Sequence, residues 1–256
     1  MARFIILMYH MISEPRSERE RRYACPPTRF AKHMRFLRSQ GFNLVSLEAV
    51  GRYLRGKESL PERSVAVTLD DGFRDNYDNA FPILREYTIP ATVFLTAGMV
   101  KKANTRMKAR DFPRREMLTW REVEVMAHAG IFFGAHTMRH PRLTELAIKE
   151  AVEEISQSKK VIEDRLGRVV DSFAYPYGLF TDETRALVQE AGYALACSTR
   201  SGFNKRNTDP YVLRRIEVYG TDILWKLQQK IIFGTNEASV AFPLKYYWNR
   251  LKACLV

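Results

Sequence analysis

Two carboxylates stand side by side at Asp70 and Asp71, directly after the apolar run Val65-Ala66-Val67-Thr68-Leu69 and directly before Gly72. Further along the chain comes His136-Thr137-Met138-Arg139-His140. An Asp-Gly pair is a common turn signal, so the acids alone say little. The histidines change the reading. On a helical turn, residues four apart share a face, and both imidazoles can then point at one ion. One aspartate plus two histidines makes three protein ligands, the usual set for a catalytic Zn²⁺ that keeps a position open for water or substrate. The other aspartate is then free to act as a base. Together these residues could carry out metal-assisted hydrolysis.

That chemistry needs elements that bring the residues to one place. Short apolar β-type runs alternate with helix-period segments along the chain. The pattern predicts strands over 4–9, 42–47, 65–69, 91–95, 131–135, 172–175 and 193–197, and helices over 28–40, 47–55, 79–86, 119–128, 145–166 and 181–191. Thr28 is expected to cap the first helix, with Phe30, Met34 and Leu37 on its apolar face. Gly41, Gly130 and Gly167 are expected to end three of the helices. Repeated β–α units imply parallel strands with helical crossovers. Seven or so units in one domain favour an α/β closed barrel over an open sheet, and 256 residues fit one such barrel. Barrel chemistry sits at the C-terminal strand ends. Asp70, Asp71, His136 and His140 all follow predicted strands, and His10 follows the first. His33 and His128 lie on predicted helices and are given no catalytic role.

At these motifs the chain resembles the polysaccharide deacetylases, the NodB-homology or carbohydrate esterase 4 family. Thr68-Leu69-Asp70-Asp71-Gly72 is similar to the first motif of that family, His136-Thr137-Met138-Arg139-His140 to the second, and Phe173-Ala174-Tyr175-Pro176-Tyr177-Gly178 to the third. The resemblance runs from the first strand to about Val218. It implies a distorted (β/α) barrel of about seven strands, a single domain, and a divalent metal, most often Zn²⁺. It matches Asp71, His136 and His140 to the metal ligands, Asp70 to the general base, and Tyr177 to the residue whose backbone N–H helps hold the oxyanion.

Two departures stand out. The arginine that usually opens the third motif is replaced by Ala174, and Arg215 is the candidate substitute. There is also no histidine after His140 to serve as general acid. Leu7-Met8-Tyr9-His10 resembles the permuted arrangement of the poly-N-acetylglucosamine deacetylases, so His10 is the candidate acid. First and last strands are neighbours in a closed barrel, and either can supply that group. The implied reaction is hydrolysis of the amide of an N-acetylated amino sugar, in a polysaccharide or a lipid-linked glycan. Deformylation of a lipid-linked amino sugar and a catalytically inactive glycan-binding barrel are the alternatives. A facial triad of an Fe(II) oxygenase would need neither the second aspartate nor the Tyr175-Pro176-Tyr177 turn.

The hydrophobic fraction of 46% is that of a globular protein with a large core. Three scattered cysteines, Cys25, Cys197 and Cys254, make neither a disulfide framework nor a zinc ribbon. Phe4-Ile5-Ile6-Leu7-Met8 is too short for a secretory h-region, and no apolar run has the roughly 18 residues of a spanning helix. A cytoplasmic location, peripheral to the inner membrane face, is the expectation. The net charge of +12 bears on partners rather than fold. The basic residues Lys101, Lys102, Arg106, Lys108, Arg110, Arg114 and Arg115, opposed only by Asp111, are read as an anion-binding rim at the mouth. The barrel is expected to occupy 1–220 and an amphipathic basic helical extension 221–256. In that extension Leu244, Tyr247, Trp248, Leu251 and Leu255 share one helical face, with Lys245, Arg250 and Lys252 away from its centre, the pattern of an interfacial helix. The segment Thr221 to Phe233 is also amphipathic. Nucleic acid is not an expected partner, because aromatic residues for base stacking do not interleave with the basic ones.

Overall fold

The computed structural model describes residues 3–102 and 113–254, with side chains described through Trp248. Its centre is a sheet of parallel strands: β1 Ile5–Tyr9, β2 Asn43–Leu44, β3 Ser64–Leu69, β4 Ala91–Leu95, β5 Phe132–Ala135, β6 Ser172–Ala174, β7 Leu195–Cys197 and β8 Ile216–Glu217. The order is β7-β6-β5-β4-β3-β1-β8, with β2 paired to the start of β3. The helices are α1 Pro27–Ser39, α2 Leu47–Leu54, α3 Phe81–Glu86, α4 Trp120–His128, α5 Ile148–Leu166, α6 Asp182–Glu190, α7 Leu224–Phe233 and α8 Phe242–Cys254.

The sheet curls into a distorted barrel because residues Leu213–Glu217 bridge its two ends. Leu213 exchanges backbone hydrogen bonds with Ala196 and Ser198 beside β7, at 2.9 and 2.8 Å. Three residues later Ile216, and then Glu217, pair with Leu7 and Met8 of β1. Every residue of β1, β3 and β4 is buried. Strands covered on both faces read as continuous apolar runs, and that is how they stand in the sequence.

Local signals set several boundaries. Thr119 and Glu122 form a reciprocal capping box at the start of α4. Gly167, at φ 62°, ends α5 in the left-handed conformation. Elsewhere the fold departs from expectation. The first helix opens on Pro27, a residue whose fixed φ suits the first helical position, and Thr28 is not its cap. The run 42–47 contributes only two paired residues, since β2 meets β3 at Asn43 and Leu44 alone. The helix expected from Asn79 begins earlier, as a wide turn over Asn76–Ala80 that continues into α3.

The proposed basic rim is also altered. Arg115 is 5% exposed and pairs with the buried Glu20 at 2.6 Å, while donating to Ser13 Oγ and the Glu14 carbonyl. It ties the 13–20 segment down rather than facing solvent. Lys101, Lys102 and Arg114 are exposed. Arg106, Lys108, Arg110 and Asp111 lie outside the described residues.

After the barrel, Leu227 and Ile231 of α7 join the main core, and the buried Lys230 ammonium bonds Asp222 and the Glu217 carbonyl. Ile223, Trp225 and Ile232 stay exposed, as do Leu244, Tyr247 and Trp248 on α8. Leu251 and Leu255 fall outside the described side chains. Among the described residues no helix is long and apolar enough to cross a membrane.

Candidate active site

β3 delivers both aspartates. Its last residue, Leu69, is followed by Asp70, whose N–H still bonds the Tyr9 carbonyl, at 2.9 Å. The chain then turns through two left-handed residues, Asp71 at φ 76° and Gly72 at φ 78°. A Cβ on Gly72 would sit 2.8 Å from Leu95 Cδ2, so the turn needs glycine for space as well as for conformation. The turn points the two neighbouring carboxylates in different directions and gives them different partners.

Asp70 faces Arg215. The guanidinium holds both carboxylate oxygens, Nη1 to Oδ1 at 2.6 Å and Nη2 to Oδ2 at 2.7 Å. Its remaining donors reach the Ser198 carbonyl at 2.9 Å and Thr68 Oγ1 at 3.3 Å. Arg215 is 0% exposed and Asp70 2% exposed. Burial by itself would raise the Asp70 pKa. The Arg215 charge and its hydrogen bonds, helped by His136, outweigh burial and hold the pKa at about 2. A carboxylate in this setting stays ionised, and its position is fixed.

Asp71 faces the histidines. His136 and His140 do not lie on a helical turn, contrary to the expectation for their spacing. They flank a loop in which Thr137 and His140 are left-handed, at φ 65° and 58°. The rings meet because the loop folds back. Their Nε2 atoms lie 3.1 Å apart, and both approach Asp71 Oδ1, at 3.6 Å for His136 and 3.4 Å for His140. One donor atom from each of the three residues lies within 4.8 Å of the others. His136 Nδ1 sits 2.6 Å from the Ala174 carbonyl. A carbonyl only accepts, so Nδ1 carries the proton and Nε2 presents its lone pair to the cluster. Burial, then the neighbouring His136, lowers the His140 pKa to about 4. A divalent cation satisfies all three at once, and the donor set of two imidazoles and a carboxylate suits Zn²⁺.

The other expected residues border the same space. A cavity of about 350 Å³ is lined by His10, Asp70, Asp71, His136, His140 and Tyr177, among others. Tyr177 is left-handed, at φ 60°, and its ring packs edge-on against His140 with centroids 4.6 Å apart. The His10 ring packs against Tyr23, and the Asn76 amide donates to the His10 carbonyl at 2.9 Å. Of the remaining histidines, His33 is buried between the Tyr9 hydroxyl and the Asp222 carbonyl, with its pKa lowered to about 4 by burial. His128 is on the surface and bonds the Glu124 carbonyl.

Two charged residues of the cavity were not expected from the sequence. Glu217 holds Arg22 through both oxygens, the shorter contact being 2.6 Å, and both side chains line the wall. A signal was present in Arg215-Ile216-Glu217. Polar residues two apart on a strand share a face, and Ile216 between them enters the core. The cavity also has an apolar wall of Met11, Phe73 and Met117, residues with no period that marks them.

The comparisons with known proteins agree with this geometry. The polysaccharide deacetylase family model matches residues 57–196. The YxkH protein of Bacillus subtilis (strain 168) is 29% identical over 217 residues, spanning 85% of this chain and 72% of its own. A poly-beta-1,6-N-acetyl-D-glucosamine N-deacetylase of Staphylococcus aureus (strain MSSA476) is 26% identical over 209 residues, spanning 78% of this chain and 69% of its own. Among solved structures, the Streptococcus pyogenes deacetylase PplD in complex with acetate superposes with a TM-score of 0.78 at 26% identity, over 90% of this chain and 98% of that one. On its fold, its motifs and these matches, the chain belongs to the polysaccharide deacetylase family and is a hydrolase of carbon–nitrogen amide bonds.

Proposed function

We propose that this enzyme removes the acetyl group from an N-acetylated amino sugar, in a polysaccharide or a lipid-linked glycan, with a divalent metal held by Asp71, His136 and His140. The observation that carries this reading is the convergence of those three donors beside an ionised, arginine-held Asp70 in one cavity. The named activity of the Staphylococcus aureus relative supports an amino-sugar amide as the bond cleaved.

When bound, the ion supplies Lewis acidity toward the amide carbonyl and the attacking water. Asp70 takes a proton from that water. Arg215 keeps the carboxylate aimed and ionised until the proton arrives. The backbone N–H of Tyr177, a residue of the cavity wall, is the donor assigned to the charge that develops on the carbonyl oxygen, where a fixed donor acts most strongly. His10 gives a proton to the departing amine, which leaves poorly as an anion. The products are a free amino sugar and acetate.

The test measures acetate and formate together, from acylated amino sugars in polymeric and lipid-linked form, with and without chelator. Acetate release that chelator abolishes and Zn²⁺ restores is the expected result. Formate as the only product would move the reading to a deformylase. Release that survives exhaustive chelation would refute the metal's part.

A second reading concerns place. The exposed Trp225 and Ile232 of α7 and the exposed Leu244, Tyr247 and Trp248 of α8, on a chain of net charge +12, favour contact with an anionic membrane surface. The protein is expected to co-sediment with phosphatidylglycerol vesicles and not with neutral ones. The double substitution Trp225→Ser and Trp248→Ser should weaken that binding by about tenfold or more. Equal binding of the variant and the parent would remove this surface from the contact.

A further inference from the structure

Glu154 is a charged residue on the buried face of α5, in line with Ala151, Ile155, Ser158 and Ile162, and it is 1% exposed. A carboxylate is costly to bury unless donors surround it. Here they come from the loop between the two histidines. Glu154 Oε2 accepts the backbone N–H groups of Met138 at 2.9 Å and Arg139 at 2.8 Å, and Oε1 accepts from Arg139 Nε at 2.5 Å. Successive backbone N–H groups beside a left-handed residue form a concave anion site, and the chain fills that site with its own carboxylate.

The loop so held cannot rest on local preference. Thr137 is β-branched and left-handed, an outlier conformation that persists only when its surroundings over-determine it. Within the loop, Thr137 Oγ1 accepts from the His140 N–H at 2.9 Å. From one side, Ala97 and Gly98 donate their N–H groups to the Thr137 and Met138 carbonyls, at 3.0 and 2.9 Å. A Cβ on Gly98 would lie 2.6 Å from the Met138 oxygen, so the approach leaves no room for adjustment there. Glu154 supplies the opposite side. Carbonyls are held by one wall and N–H groups by the other, so the Thr137–Met138 and Met138–Arg139 peptide planes are each fixed at both carbonyl and N–H.

We infer that Glu154 is a positioning residue for the metal centre: by gripping the Met138 and Arg139 amides it presets the spacing of His136 and His140 before any ion arrives. It touches neither substrate nor ligand atoms, and it acts through the loop alone. The inference rests on the metal reading above. Partners that orient metal ligands without binding the metal typically change its affinity by about 10–100-fold.

The test titrates Zn²⁺ against a competing chelator into the metal-free full-length protein and into Glu154→Gln. The absorption spectrum of each protein loaded with Co²⁺ is recorded alongside. Glu154→Gln keeps the size and one acceptor oxygen but replaces the other with donors that repel the loop amides. The expected result is a fold retained by circular dichroism, with Zn²⁺ dissociation weakened by about 10–100-fold and an altered Co²⁺ ligand-field spectrum. A buried glutamate that only stabilised the fold would lower the melting temperature and leave the spectrum and affinity of the folded fraction unchanged, and that outcome overturns the inference. Failure of the parent protein to bind Zn²⁺ would instead overturn the metal reading itself. Amide hydrogen exchange on the metal-free parent gives a measurement independent of any variant. Protection at Met138 and Arg139 is expected, and free exchange at both would show that the loop is not preset.

Discussion

Asp70→Asn should lose about 10²–10⁴-fold in kcat, the usual share of a positioned general base, while keeping its metal. Asparagine is nearly the same size as aspartate and leaves Asp71, His136 and His140 untouched, but its amide cannot take the proton from water. The structure adds a consequence that complicates a simple rate measurement. Among the described residues, Asp70 is the only carboxylate bonded to the guanidinium of Arg215, which is 0% exposed. Removing its charge leaves that guanidinium uncompensated, a change that typically costs about 3–5 kcal/mol. The rate must therefore be referred to folded, metal-loaded protein, with metal content measured on the same sample. A metal-replete, folded variant that turns over at more than about a tenth of the parent rate would exclude Asp70 as the base. His10→Gln, assayed in parallel, should lose about 10²–10⁴-fold in kcat, because the departing amine then lacks its proton donor.

The second large effect is expected at Arg215. Arg215→Met leaves the Asp70 carboxylate buried with its main counter-charge gone. The sign of the pH dependence then reverses. In the parent, the Asp70 pKa is depressed to about 2. Its pairing therefore stabilises fully above the unfolded aspartate value of about 3.9 and is lost as pH falls toward the folded value. In the variant burial dominates and raises the pKa. The ionised carboxylate then destabilises at neutral pH, and protonation in mild acid relieves it. The stability gap between parent and variant is expected to be roughly 3–5 kcal/mol at neutral pH and to narrow as pH is lowered. Denaturant melts at several pH values measure it, and a gap independent of pH would mean that Asp70 is not the group responsible. The acid limb of the activity profile should move to higher pH in the same variant, since the base must now lose a more tightly held proton.

Much of this molecule was legible in its residues. Continuous apolar runs at Ile5–Tyr9, Ser64–Leu69 and Ala91–Leu95 announced fully buried parallel strands, because strands covered on both faces need no polar alternation. The helix start at Thr119, where the structure shows a capping box with Glu122, and the glycine stop at Gly167 were legible because helix-end signals act within one turn of chain. The short pairing of β2, the closure of the barrel through Leu213–Glu217 and the burial of Arg115 were not legible. Each depends on a partner far away in sequence, and no local preference encodes it.

The candidate site divides along the same line. Residue types and spacing showed that one acid and a histidine pair could share an ion at the strand ends of a barrel, and the resemblance of the motifs implied that the second acid and the tyrosine turn belong with them. Only the tertiary structure decided how they meet. The His136–His140 spacing suggested a helix, yet the rings converge through two left-handed residues and a buried glutamate that grips the loop from α5. Arg215 could have been a surface residue, yet it lies across the barrel seam with both of its terminal nitrogens on Asp70. The physical reason is common to both. A left-handed β-branched residue and a buried ion pair are unfavourable in isolation, so neither leaves a propensity in the sequence, and each exists only because distant parts of the fold compensate for it.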